Sequence, residues 1–142
     1  MSKITTMVTF YVVSEYISTS PTQGGGEKIA GGPLYDLEQL QAIACDATGV
    51  KLFTRDCVLD VGRIFGGDVE KVAGLIQLIR KTDYRDSEWC NNGKGAWAAC
   101  DAYSVSVKEW VPTAKKEMHI EYFLKLSINK LGTLILTFSC HV

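Results

Sequence analysis

An α+β fold, with helices packed on one face of an antiparallel sheet of about four to five strands, follows from three features of the chain. Apolar residues recur at helical spacing from Asp36 to about Lys81, and at alternate positions after residue 82. Helices therefore come first and strands later, the order that segregates helices onto one side of an antiparallel sheet. The last quarter of the chain also fixes its own register. His119 to Ile128 alternates polar and apolar, and Leu134 to His141 returns. Gly132 suits the left-handed third position of a three-residue loop, Lys130-Leu131-Gly132, which would pair Asn129 with Thr133.

That pairing sets Leu126 opposite Leu136, Leu124 opposite Phe138 and Tyr122 opposite Cys140, all inward. It sets Lys125 opposite Thr137, Phe123 opposite Ser139 and Glu121 opposite His141, all outward. A slip of one residue would mix the two sets, so the alternation itself argues for this register.

The remaining elements follow in order. Residues 1–33 read as an N-terminal extension, with a β-rich run Val8-Thr9-Phe10-Tyr11-Val12-Val13 and two glycine clusters, Gly24-Gly25-Gly26 and Gly31-Gly32. Residues 7–14 are a strand or appended element, and 34–142 form the domain. Asp36 is placed to cap a helix carrying Leu37, Leu40, Ile43 and Ala44, stopped by Gly49. Thr54 caps a second, with Val58, Leu59 and Val61 before Gly66-Gly67, and Asp68 a third. In the third, Val69, Val72, Leu75, Ile76 and Ile79 form one face, and Arg80-Lys81 stand where cations suit the helix dipole. Asp83 to Trp89 reads as an edge strand and Cys90 to Gly95 as a turn. Ala96 to Val107 reads as a strand, and Lys108 to Glu117, with Pro112, as a connection.

Composition narrows the class. At 142 residues, 46% apolar and 22% charged, the chain is one ordinary globular domain. No apolar run reaches the roughly 20 residues needed to span a bilayer. The opening residues lack a secretory pattern, and five cysteines, an odd number, suit reduced thiols in a cytoplasmic setting. A net charge of −1 disfavours an extended nucleic-acid surface, so any contact with RNA must come from a local cluster.

With the elements placed, the chain from about Pro33 onward resembles the MqsR family of bacterial type II toxins, small RelE-like mRNA interferases. The resemblance rests on Thr54-Arg55 opening a helix, then Asp83-Tyr84-Arg85-Asp86-Ser87, then Asp101-Ala102-Tyr103, then Phe123-Leu124-Lys125-Leu126. It departs from the family where Arg85 replaces a usual lysine, Cys100 a glutamine and Phe123 a tyrosine. The resemblance implies an endoribonuclease on mRNA, neutralised by a cognate antitoxin, with no cofactor. A catalytically degenerate relative acting as a protein- or RNA-binding module is the alternative.

Cleavage of RNA by its own 2′-OH needs a base, positive charge at phosphorus and an acid for the leaving oxygen. Arg85 and Lys125 are the expected phosphate ligands. His141, Glu121 and Tyr103 are the expected acid–base groups, and Tyr84, Phe123, Tyr122 and Lys94 the substrate contacts. Blander readings stand beside these: Arg85 pairing with Asp86 or Glu88, Lys125 on a solvated face, Tyr103 as a core ring. Cys90, Cys100, Cys140 and His141 lack the spacing of a zinc knuckle, so no metal is expected.

Overall fold

The computed structural model describes residues 11–21 and 27–141, apart from the side chains of Ile135 and of residues 137–141. Strands are β1 (Tyr11–Val12), β2 (Val50–Leu52), β3 (Tyr84–Asn91), β4 (Ala96–Val111), β5 (Lys116–Ile128) and β6 (Leu134–His141). Helices are α1 (Leu37–Ile43), α2 (Arg55–Phe65) and α3 (Val69–Gln77). The chain is α+β, but its sheet is mixed. Strands β3 to β6 pair antiparallel in chain order, while β1 runs parallel to β4 and β2 parallel to β6. The all-antiparallel expectation fails at β2, whose three residues are too few to show an alternation.

The closing hairpin has the register expected of it: Glu121 pairs with His141, Lys125 with Thr137 and Ile128 with Leu134. Gly132 takes a φ of 83° and donates its N–H to the Asn129 carbonyl at 2.9 Å. The Asn129 side chain tightens the loop by accepting from the N–H groups of Leu131 and Thr133.

Helix caps also fall where the residue types place them. The Thr54 hydroxyl accepts from the Cys57 N–H at 3.0 Å, Gly66 closes α2 in the left-handed region, and Asp68 accepts from the Glu70 N–H. The Asp36 side chain makes no capping bond, and α1 stops at Ile43, before a separate single turn over Ala47–Gly49. Two faces need correction. In α2 the buried residues are Cys57 and Val61, one turn apart, while Val58 and Leu59 are exposed. Helix α3 ends at Gln77, so Arg80 and Lys81 lie beyond its last turn; the Arg80 N–H bonds the Asp83 carboxylate at 2.8 Å.

All three helices bury one side against the same sheet face, where Leu40, Val61 and Ile76 meet Tyr103, Leu124 and Leu136. The segment expected to connect 108 to 117 is strand instead: β4 and β5 pair out to Val111 and Lys116 around a tight turn. Before residue 34, the Val13 and Glu15 N–H groups bond to Trp97 and Ile128 carbonyls. Ile29 and Glu27 exchange backbone hydrogen bonds with Ser87 and Trp89, covering the free edge of β3, where an exposed strand would invite pairing.

Candidate functional site

The face of the sheet away from the helices carries a groove of about 440 Å³, lined by Lys28, Arg85, Asp86, Glu88, Phe123 and Lys125 among others. A register shift builds it. Tyr84 pairs with Tyr103 and Asp86 with Ala102, so Arg85 is the extra residue of a bulge. A bulge re-aims a side chain that simple alternation would place elsewhere. Arg85 thereby reaches Glu121 on β5, with Nη2 to Oε1 at 3.7 Å. It does not pair with Asp86 or Glu88.

Ion pairs run through this groove. Lys125 is bonded to Glu88, whose residue is 7% exposed. Lys28, from the stretch after the glycine cluster, sits 3.0 Å from Asp86 and 3.3 Å from Glu88. Glu121 also accepts from the Ser104 hydroxyl. Three cations thus face three carboxylates. Burial alone would lower the Lys125 pKa, but the Glu88 carboxylate and the neighbouring Cys90 more than offset it and hold the ammonium above its usual value. The Lys28 ammonium is likewise raised, chiefly by its hydrogen bond to Asp86. Both lysines are therefore charged at neutral pH, and neither is a base.

Of the expected site residues, Arg85, Glu121, Phe123 and Lys125 come together on this face. His141 pairs with Glu121 through the backbone; its side chain lies outside the described set. Tyr103, Tyr84 and Tyr122 project the other way. Tyr103 and Tyr84 meet edge to face with ring centroids 5.8 Å apart. Tyr103 is 1% exposed, and burial, then Asp101 and Tyr84, raise its pKa far enough to keep the hydroxyl protonated. Tyr122 stacks on Phe65 and donates to both oxygens of Glu109 at 3.0 Å. Lys94 stands on the exposed turn between β3 and β4, away from the groove.

The sequence reading missed a polar network beneath the inner face. Asp101 is fully buried on β4 and accepts from the Leu34 and Tyr35 N–H groups and from the Ser87 hydroxyl at 2.7 to 3.0 Å. Ser87 in turn bonds the Tyr84 hydroxyl at 2.7 Å. Burial raises the Asp101 pKa, against the pull of those donors. The available signal was a carboxylate at an inward position between Ala99 and Tyr103, where only a satisfied charge can stay. This network ties residues 34 and 35, at the start of the helical layer, to the centre of the sheet.

Among the described residues no cluster of three or more metal-ligating side chains occurs, and Cys57 and Cys100 are buried thiols. No helix among them is long and apolar enough to cross a membrane. No family model and no curated protein matches this chain.

Proposed function

We propose that this chain is a toxin-like endoribonuclease of the MqsR and RelE kind, acting on mRNA in the cytoplasm and held in check by a cognate antitoxin. One observation carries the reading: a bulge brings Arg85 onto the solvent face of the sheet beside Glu121, Phe123 and Lys125, residues of the motifs on which the resemblance rests.

In this reading a strand of RNA lies over the groove with one phosphate between Arg85 and Lys125. Their charges stabilise the five-coordinate phosphorus. Arginine stays protonated and can hold two phosphate oxygens at once, so its role is binding rather than proton transfer. The Glu121 carboxylate takes the proton of the attacking 2′-OH, the new O–P bond forms, and the bond to the 5′ oxygen breaks. His141, across the ribbon from Glu121, protonates that leaving oxygen. Phe123 offers a ring for base stacking. Substrate phosphate has to displace Glu121 from Arg85 and Glu88 from Lys125, and each displaced carboxylate raises the cost of binding. Tyr103 has no part in this route.

Incubating purified protein with a mixed mRNA, beside the Arg85→Ala/Lys125→Ala variant, tests the assignment. Cleavage by the wild type alone supports it. Equal cleavage by both, or cleavage by neither, removes it.

The balanced charges favour a second reading, a non-catalytic protein- or RNA-binding module, because every cation of the groove already has a carboxylate partner. Expression in bacteria separates the two. Growth arrest with falling mRNA supports the nuclease; harmless expression with a retained partner supports the module.

A further inference from the structure

On the helical side of β3 and β4 lies a second cavity, of about 490 Å³, between the Pro33–Leu37 stretch and the tyrosines Tyr84 and Tyr103, with Lys81 at its rim. This volume falls within the range of small-molecule sites, roughly 300–1,000 Å³. Its walls are largely apolar and aromatic: Leu34, Leu37, Tyr84 and Tyr103. Polar groups engaged elsewhere leave it few free contacts. The Tyr35 hydroxyl is bonded to the Ala99 carbonyl and to Ser127, and that of Tyr84 to Ser87.

Two groups are different. Tyr103 is 1% exposed, yet among the described residues its hydroxyl has no hydrogen-bond partner. Asp36 stands at the N-cap of α1 but its carboxylate makes no capping bond and no ion pair there. The charge of Asp36 is felt by the Tyr103 hydroxyl, which places that hydroxyl on this side of the sheet rather than in the ionic groove. Buried hydroxyls are normally bonded, and one that is not invites a ligand or water.

The chemistry of the walls selects the occupant. A carboxylate only accepts, so the ligand must present N–H or O–H donors to Asp36. The Tyr103 hydroxyl, protonated at neutral pH, can donate as well as accept. Aromatic and aliphatic walls suit a planar body with polar groups confined to one edge. A sugar brings more hydroxyls than these two groups satisfy. We propose that the cavity binds an amino-bearing nucleobase, with the Asp36 carboxylate accepting from the base's N–H groups and the Tyr103 hydroxyl completing the contact to its polar edge. Lys81 at the rim suits a phosphate attached to such a base. This site deepens the nuclease reading by giving the RNA a base-reading pocket next to the residue that precedes Arg85, and rests on it only for RNA as the natural source.

Calorimetric titration with free adenosine, cytidine, guanosine and uridine tests the pocket apart from any cleavage. At least one amino-bearing nucleoside is expected to bind saturably, with uridine roughly tenfold weaker or worse, the cost of leaving a charged acceptor unpaired. Asp36→Asn and Tyr103→Phe should each weaken that binding by about tenfold while thermal melting confirms folded protein. Asparagine remains a good N-cap residue, so Asp36→Asn leaves the helix start intact. Absence of binding by all four, equal binding of uridine, or unchanged affinity in both variants overturns the proposal. Cleavage of mRNA that survives those outcomes leaves the nuclease reading standing and removes only the base pocket.

Discussion

The two sides of β4 handle polar groups in opposite ways. On the solvent side three cations and three carboxylates neutralise one another, and the groove they line is wet. On the helical side a single carboxylate, Asp101, is fully buried and held by backbone donors, and the nearby Asp36 and Tyr103 keep unused hydrogen-bonding capacity. Charge visible in a sequence is therefore no guide to charge available for binding. Free capacity lies where the polar groups are few and the walls apolar.

The largest effect is expected at Asp101. Asp101→Asn turns one acceptor into a donor facing the Leu34 and Tyr35 N–H groups and should cost about 2–4 kcal/mol, read from urea unfolding. Its pH dependence sharpens the contrast. Burial raises the folded pKa of this carboxyl, so its contribution to stability is complete below the ordinary carboxylate range and is lost as pH rises through the folded value. The wild type's margin over Asp101→Asn should therefore be widest in acid and shrink towards neutrality. A margin that widened with pH would mean the donors outweigh burial.

Gly32 comes next. A Cβ there would stand 2.2 Å from the Tyr84 hydroxyl oxygen and 2.3 Å from Ser87 Oγ. Gly32→Ala should cost roughly 1–3 kcal/mol through displacement of that pair. Thermal melting within a degree of wild type would show the inner network to be pliant rather than fixed.

On the outer face, Glu88→Gln removes the shared partner of Lys28 and Lys125. Affinity for single-stranded RNA should rise, and the slope of log binding constant against log salt should steepen by roughly 0.7 per freed cation. A slope equal to that of the wild type would mean phosphates do not enter the groove. The smallest effect belongs to Arg85→Gln: both ends of its pair with Glu121 are solvated, so stability should change by less than about 1 kcal/mol. A larger loss would make Arg85 structural and break the comparison from the other side.

Particular elements show how far the residues alone carried. The closing hairpin was legible to the residue, because alternation, a two-fold period and one glycine at a left-handed position all act within twenty-four residues. The caps of α2 and α3 were legible for the same local reason. The face of α2 was misread because Val58 and Leu59 are apolar but lie off the stripe that Cys57 and Val61 turn to the sheet. Lys28 gave no warning: it lies after a glycine cluster, sixty residues from Glu88. Of the site, the shared face of Arg85, Phe123, Glu121 and Lys125 could be foreseen in part, whereas their neutralisation could not.

By itself the sequence determined what short-range sterics and periodicity govern: the order of helices and strands, the start of each longer helix, and which side of the final ribbon meets water. Only the tertiary structure decided that β2 joins β6 in parallel, that Asp101 reaches back to Leu34 and Tyr35, and that each groove cation meets a carboxylate. The reason is physical. Local sterics act over a few residues and leave a readable spacing, but contacts between segments tens of residues apart are selected by the joint packing of the whole chain, which no spacing records.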